Sequence, residues 1–442
     1  MNLAPADLKK EGAGYDLGIA LGYLLASGQT IFNSKGKIFV GELSLDGNLR
    51  PVWGVISTAL MAKELGFKTL ILPKENAKEA SLIEGVNIIG AENLKDVVLH
   101  LENKKQIEPQ KPEIQEFFSE PKYFLDMAFI KGQESAKRAL EIAAAGGHNI
   151  LMSGPPGGGK TLLAKALPTI LPGMNLKEAL EVTKIYSVSG LLKKDEPLIL
   201  ERPFRSPHHT SSEAAIIGGG NPPRPGEISL AHRGVLFLDE IPEFHRDVLE
   251  SLRQPLEDGL ITVARARGAC TFPAKFILVA AKNPCPCGNY NDPQKECTCS
   301  PSQIIKYQKK ISGPLLDRID IQIEVPRVES DILLDEKVAE ESEKIRERIK
   351  EAREIQENRF MAGGEEILTN SEMPLPKIKK YCRIDDFSLD LIRRALKTRA
   401  LSARAYHRIL KVARTIADLS HLENIKTEHI AEAIQYRTGK EE

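Results

Sequence analysis

The run Gly154-Pro155-Pro156-Gly157-Gly158-Gly159-Lys160-Thr161 fits the pattern G-x-x-x-x-G-K-[ST] and directly follows an apolar, strand-like stretch, Asn149-Ile150-Leu151-Met152. Glycines at these positions let backbone N–H groups close on phosphate oxygens. The lysine supplies a point charge for the β and γ oxygens, and the threonine hydroxyl can ligate Mg²⁺. Leu162, Leu163, Ala166 and Leu167 continue with helical spacing, so the run has the preceding strand and following helix that such a loop requires. The predicted ligand is a nucleoside triphosphate, ATP, bound with Mg²⁺.

Downstream, Gly234-Val235-Leu236-Phe237-Leu238-Asp239-Glu240 reads as a buried parallel strand that ends in two carboxylates. Burial of the four apolar residues fixes the strand and delivers Asp239 to its C-terminal end, where it can hold the Mg²⁺ shell. Glu240 beside it can orient and polarise a water. Paired carboxylates at this point favour hydrolysis over binding alone.

The rest of the composition bounds the setting. A chain of 442 residues with 42% hydrophobic content has length for two or three domains with real cores. Lys plus Arg and Asp plus Glu both number 61, so there is no globally basic footprint and any polyanion contact must come from a local patch. Met1-Asn2-Leu3-Ala4-Pro5 lacks the basic and apolar regions of a signal peptide. The apolar stretch Leu17 to Ala26 is too short and glycine-broken to span a bilayer. These features predict a cytoplasmic chain with no membrane partner.

Periodicity predicts helices at Asp16–Ala26 and Val55–Leu65 and strands at Ile38–Leu43 and Thr69–Leu72, hence an α+β or α/β domain over 1–101. Residues 102–123 mix charge with Pro109, Pro112 and Pro121 and read as a linker. The ATPase domain is expected over 124–328, with a cysteine-rich insertion at 284–301. A long charged helix and connector follow over 329–369, with Val338, Ile345, Ile349 and Ala352 as a narrow apolar stripe. Residues 370–442 are expected to form a helical lid, with helices near Ser388–Thr398, Ser402–Leu419 and Thr427–Arg437 and an N-cap at Thr427.

Four of the six cysteines fall in the insertion as two Cys-x-Cys pairs, Cys285 with Cys287 and Cys297 with Cys299. Four thiolates suit tetrahedral Zn²⁺, although this spacing is not the two-residue one of zinc ribbons, and reduced surface thiols are the competing reading. Cys270 and Cys382 read as core thiols.

Taken together, the chain resembles the magnesium-chelatase-like branch of the AAA+ ATPases, and closely the ComM/YifB competence-associated family. The phrases that carry the resemblance are Gly132-Gln133, Ala144-Ala145-Gly146-Gly147-His148-Asn149, Arg202-Pro203-Phe204-Arg205-Ser206-Pro207-His208-His209, Asn283-Pro284-Cys285-Pro286-Cys287-Gly288 and Lys411-Val412-Ala413-Arg414-Thr415-Ile416-Ala417. They are spread over essentially the whole chain. The implied fold is α/β, an AAA+ P-loop core with a C-terminal helical lid, preceded by a partial Lon-protease-like domain.

The resemblance also implies roles. Asn283 looks like sensor 1, positioning water against the γ-phosphate. Arg318 looks like an arginine finger that reaches a neighbouring subunit's nucleotide, whereas spacing alone would pair it with Asp317 or Asp320. Arg404 resembles sensor 2, acting on its own or a neighbour's nucleotide, with Arg408 and Arg414 as competitors. A hairpin is implied over Leu260–Gly268, where alternation puts Arg265 and Arg267 on one face that could line a ring's pore and meet DNA phosphates. Arg202 to Gly220, with Arg205, His208 and His209, is a second candidate for a mobile, substrate-facing loop.

Phe39-Val40-Gly41-Glu42-Leu43-Ser44-Leu45-Asp46-Gly47 and Leu70-Ile71-Leu72-Pro73 resemble the Lon-type protease domain, but Asp16 and Ile56 stand where its serine and lysine belong. A carboxylate beside a hydrocarbon side chain cannot replace a hydroxyl activated by a lysine. This domain is expected to be a non-proteolytic scaffold that begins late relative to the family, as an N-terminal truncation would leave it. The residues themselves point to nucleotide hydrolysis and suggest assembly; the resemblance to the ComM/YifB family implies the rest, a homo-hexameric ATPase motor on single-stranded or branched DNA, with helicase or branch-migration activity in recombination of incoming DNA. The alternatives are a chelatase-type ATPase that remodels a metal-inserting partner and, third, an ATP-dependent protease.

Overall fold

The helix that follows the phosphate loop ends at Ile170, and soon afterwards the chain leaves that fold. Met174–Glu201 packs with Met1–Pro121 as one unit, while Lys122–Gly173 and Arg202–Glu442 form the other. The computed structural model describes residues 13–112, 123, 125–193, 196–220, 223–265, 268–292, 294–329, 331, 339–365, 367–398 and 402–437.

The first unit holds a parallel sheet of β1 (Lys37–Phe39), β2 (Thr69–Pro73) and β3 (Asn87–Ala91), in that spatial order. The helices Asp16–Ala26 and Val55–Glu64 form where periodicity places them. The single strand expected over Ile38–Leu43 is instead broken. Gly41 N–H turns away to Gly14 O at 2.9 Å, and Glu42–Leu43 pairs with Leu49–Arg50 in a separate hairpin. The segment borrowed from downstream is mainly the helix Leu176–Ser189, started by a capping box between Asn175 and Glu178 and stopped at Gly190 in left-handed conformation. Its Ala179 and Val182 join Ile56, Ala59, Leu70 and Leu72 in one apolar cluster. Residues 174–201, within the span 124–328 expected for the ATPase domain, thus pack with the first unit.

The second unit carries β4 (Ile150–Ser153), β5 (Phe204–Arg205), β6 (Val235–Leu238), β7 (Leu260–Arg265), β8 (Gly268–Pro273), β9 (Ile277–Lys282) and β10 (Ile321–Glu324). Five of these make a parallel sheet in the order β10-β4-β9-β6-β5. Alternate residues go to opposite faces: Ile150, Met152, Val235, Phe237 and Val279 to one apolar cluster, Leu151, Leu236, Leu238, Leu278 and Ala280 to the other. Burial on both faces is why these strands read as unbroken apolar runs. Such a sheet presents the ends of β4, β6 and β9 side by side, the place where ligands bind in this architecture.

Strands β7 and β8 form an antiparallel hairpin in register from Leu260 with Pro273 to Arg265 with Gly268. The charged helix runs Ser342–Met361 and buries Ile345, Ile349 and Ala352; Val338 lies outside the described residues. The C-terminal helices are Leu375–Tyr381, Asp386–Thr398, Ala403–Leu419 and Thr427–Gln435. Ser402 caps the third by accepting Ala405 N–H at 3.3 Å. Thr427 does not cap the fourth. It is that helix's first residue, and its hydroxyl is bonded to Ser388 Oγ at 3.0 Å. Among the described residues, no helix is long and apolar enough to cross a membrane.

Candidate nucleotide site and cysteine cluster

The phosphate loop leaves β4 at Gly154, where no side chain fits: a Cβ would lie 2.0 Å from the Val325 carbonyl oxygen. Gly158 is also close to that oxygen, at 3.0 Å. Gly157 and Gly159 have φ of +78° and +88°, and a Cβ on either would meet open space, so the outer rim of the loop is an unfilled cradle. Between Gly154 and Gly157, Pro155 is half-buried and Pro156 exposed. Gln133 braces the loop from behind, donating from Nε2 to Gly158 O at 3.1 Å and to Pro326 O at 2.6 Å.

Lys160 is buried at the first turn of the following helix. Its Nζ donates to Gly154 O at 2.6 Å, Pro155 O at 2.9 Å and Asn283 Oδ1 at 3.2 Å. Burial lowers its pKa from the ordinary lysine value, against the opposing pull of Asp239 and Glu240. A desolvated ammonium among neutral oxygens gains most from an anionic ligand. Thr161 Oγ1 donates to Asp239 Oδ2 at 2.8 Å, joining the two segments expected to share Mg²⁺. Glu240 is exposed at φ +50°, an uncommon conformation for a residue with a side chain, held by its N–H on Asp239 Oδ1 at 3.0 Å. The structure thus brings Lys160, Thr161, Asp239, Glu240 and Asn283 to adjacent strand ends, as a nucleotide with Mg²⁺ would need.

Arg318 does not pair with Asp317 or Asp320. It is 6% exposed, donates from Nη1 to Pro314 O at 2.9 Å and is ion-paired through Nη2 to Glu257. The other oxygen of Glu257 lies 3.6 Å from Arg404 Nη2. One carboxylate thus gathers both arginines. Arg408 and Arg414 are occupied elsewhere: Arg408 binds the buried Asp320 at 2.9 Å, and Arg414 binds Asp418 and the carbonyls of Leu422 and Glu423. Glu257 has no signature in the sequence, since no motif links it to Arg318, 61 residues away.

Arg267 and the side chain of Arg265 lie outside the described residues, so their expected common face is untouched by the geometry. Arg205, near the start of the candidate substrate-facing segment, sits in β5 and grips Glu227 with two bonds of 2.6 Å. His208 bonds Thr210, and the His208 and His209 rings lie tilted at 34° with centroids 4.1 Å apart. In the first unit, Ile56 is fully buried and the Asp16 carboxylate accepts Leu43 N–H at 3.3 Å.

The four clustered cysteines converge. Cys285 Sγ lies 3.3 Å from Cys287 Sγ and 3.7 Å from Cys297 Sγ, with 3.6 Å between the latter two. All four sulfurs, including Cys299, lie within 4.8 Å of one another. Cys287 N–H donates to Cys299 Sγ at 3.4 Å and Tyr290 N–H to Cys285 Sγ at 3.3 Å. Of the other two cysteines, Cys382 is buried as expected, but Cys270 is exposed on β8 rather than in the core.

Comparison with known families gives three matches: residues 126–333 to magnesium chelatase, subunit ChlI; 339–437 to the C-terminal part of that subunit; and 1–76 to subunit ChlI of Mg-chelatase. The chain is 46% identical over 447 residues to the competence protein ComM of Haemophilus influenzae, covering 99% of this chain and 85% of that one. It is 44% identical over 439 residues to the uncharacterized protein YifB of Escherichia coli, covering 99% and 84%. To the magnesium-chelatase 38 kDa subunit of Cereibacter sphaeroides it is 26% identical over 172 residues, covering 35% of this chain and 51% of that one.

Proposed function

The chain belongs to the ComM/YifB family of magnesium-chelatase-like AAA+ proteins, and from that premise we propose that it is a ring-forming motor that hydrolyses ATP and acts on DNA. The observation that carries the hydrolysis is the convergence of Lys160, Thr161, Asp239, Glu240 and Asn283 on one open cradle. Lys160 would exchange its carbonyl partners for β and γ phosphate oxygens, with the N–H groups of Gly157 to Thr161 closing around them. Thr161 and Asp239 would hold Mg²⁺, which would supply neutralisation of the phosphate charge. Glu240, exposed and fixed in backbone, orients and polarises the attacking water while the Asn283 amide fixes its other side.

Subunits assemble as a cytoplasmic homo-hexamer in which Arg318 completes a neighbour's site, and Arg404 couples the lid to nucleotide state. The substrate is single-stranded or branched DNA, and the work is helicase or branch-migration activity in recombination of incoming DNA during natural transformation. Support comes from the near full-length similarity to a protein named for competence. A second reading, a chelatase-type ATPase remodelling a metal-insertion partner, draws on the similarity to the 38 kDa magnesium-chelatase subunit. ATP-dependent proteolysis finds no support at Asp16 or Ile56.

The deciding experiment is the steady-state ATPase rate with and without forked DNA, alongside a labelled four-way junction. Stimulation with junction processing supports the motor. Hydrolysis indifferent to DNA, with the junction untouched, would hand the function to the chelatase-type reading.

A further inference from the structure

The cysteine cluster lies beside the phosphate loop, and its geometry is that of a metal cage. Four sulfurs at about 2.3 Å from a tetrahedral Zn²⁺ stand about 3.8 Å apart, and the three closest separations run from 3.3 to 3.7 Å. Disulfide-bonded sulfurs would be about 2.05 Å apart, so the cluster is four separate thiols. Left as such, they crowd partly shielded sulfur atoms together for no gain. The N–H groups of Cys287 and Tyr290 aimed at Cys299 and Cys285 are the kind of outer-shell donors that stabilise bound thiolates.

Two contacts join this loop to the nucleotide cradle. Gly288, the residue after Cys287, has φ +82° and lies so near Pro156 that a Cβ would come within 2.5 Å of the proline ring. Asp292, between the two cysteine pairs, has its side chain shut off from solvent and accepts Arg327 Nε at 2.7 Å. Arg327 directly follows Val325 and Pro326, whose carbonyls lie against Gly154 and Gly158, and the Pro326 carbonyl also accepts Gln133. The cluster thus touches the phosphate loop from outside at Pro156 and holds, through Asp292, the segment that covers it from inside.

We propose that Cys285, Cys287, Cys297 and Cys299 bind one structural Zn²⁺, and that this metal knot braces the phosphate loop so that nucleotide affinity depends on the metal. The loop's glycines are free to move unless something holds their two flanks. A pre-shaped cradle spends less of its binding energy on ordering itself. The inference rests on the loop being the nucleotide site, but its metal part does not.

The test uses the full chain purified under reducing conditions without chelator. Elemental analysis is expected to give about one zinc per chain, and Co²⁺ in its place should give the visible bands of a tetrahedral tetrathiolate site. Metal-free protein that takes up neither ion overturns the site. Binding of a non-hydrolysable ATP analogue is then measured for zinc-loaded, chelated and zinc-restored protein. A roughly tenfold loss of affinity on chelation, reversed by zinc, supports the brace.

Cys297→Ser should lose the zinc; if it fails to fold, the chelation series still decides. Asp292→Ala and Arg327→Leu keep all four thiols, and both should retain zinc while binding the analogue more weakly. Normal analogue binding in both variants, or in chelated protein, overturns the brace. Zinc-loaded protein that binds no nucleotide at all overturns the reading of the loop instead.

Discussion

Glu257 and Arg318 form an ion pair within a single subunit, and the same carboxylate faces Arg404 across 3.6 Å. The guanidinium of Arg318 is nearly closed off from solvent, and among the described residues its Nε has no hydrogen-bond partner. Glu257 is half exposed, so the charge that satisfies Arg318 can be displaced. In the ring reading, a neighbour's phosphates offer Arg318 more negative charge than one carboxylate does, and assembly pulls it away.

Arg318→Ala is therefore expected to assemble but to lose turnover by about 10³-fold or more. Mixing it with Lys160→Ala subunits should restore part of the rate, because an intact finger then faces an intact cradle. Glu257→Gln, which keeps the shape and loses the charge, should bring hydrolysis to its plateau at lower subunit concentration. Mixtures that stay inactive at every ratio, with assembly confirmed by sedimentation, would show that Arg318 does not serve a neighbour.

Lys160→Ala and Glu240→Gln should separate binding from chemistry. Removing the buried ammonium deletes the phosphate contact, so nucleotide binding should fall below detection. Glu240→Gln leaves the cradle intact and is expected to bind ATP normally while turnover drops about 10²–10⁴-fold. Calorimetric binding and phosphate release on the same preparations check both. A Glu240→Gln protein hydrolysing near the parental rate would remove Glu240 from the chemistry.

What could be read in the sequence follows from how local the physics is. The phosphate loop and the Asp239-Glu240 strand end were legible because ligand chemistry fixes residue types at fixed spacing. Burial on both faces likewise shows as unbroken apolar runs in β6 and β9. The break after Phe39 was not legible, because what peels the strand away is a bond from Gly41 to Gly14 in another segment. The helix Leu176–Ser189 shows its apolar positions in sequence but not which core takes them. Glu257 and its pairing with Arg318 escaped because the two lie 61 residues apart with no motif joining them, and the grip of Arg205 on Glu227 escaped for the same reason, 22 residues separating them.

Acid should destabilise the second unit through Asp320. Full burial alone would raise its pKa, but Arg408, His148 and Lys411 outweigh burial and hold it well below the usual carboxylate range. A depressed folded pKa gives stability that is complete above the unfolded value of about 4 and lost as pH falls below it. Asp320→Asn should flatten that acid loss and cost about 3–5 kcal/mol at neutral pH, since Arg408 is left without its counter-charge. Lys411 is a penalty rather than a gain: burial, then Arg408, push it down to about 8, so its charged form opposes folding and that opposition is relieved as pH rises from there toward 10.5. Thermal midpoints across pH for parent and Asp320→Asn are the measurement. Identical acid slopes would place the lability elsewhere.

The hairpin of β7 and β8 separates the motor from the chelatase-type reading. Its register ends at Arg265 with Gly268, and Arg267 follows Arg265 by two residues in the sequence. A chain with no net charge must grip DNA with a local patch, and six copies of this hairpin around a pore would make one. Forked DNA is expected to stimulate hydrolysis, and Arg265→Ala with Arg267→Ala should bring the stimulation ratio close to one. The dependence of DNA affinity on salt should flatten by about 0.7–0.9 in log–log slope for each phosphate that is no longer neutralised. Nucleotide affinity, read separately, distinguishes a weakened DNA grip from a damaged fold. If the double variant responds to DNA with the parental slope, the hairpin does not hold the DNA. If the parent protein itself fails to bind DNA at low salt, the partner to look for is a protein with a chelatase's metal-insertion chemistry.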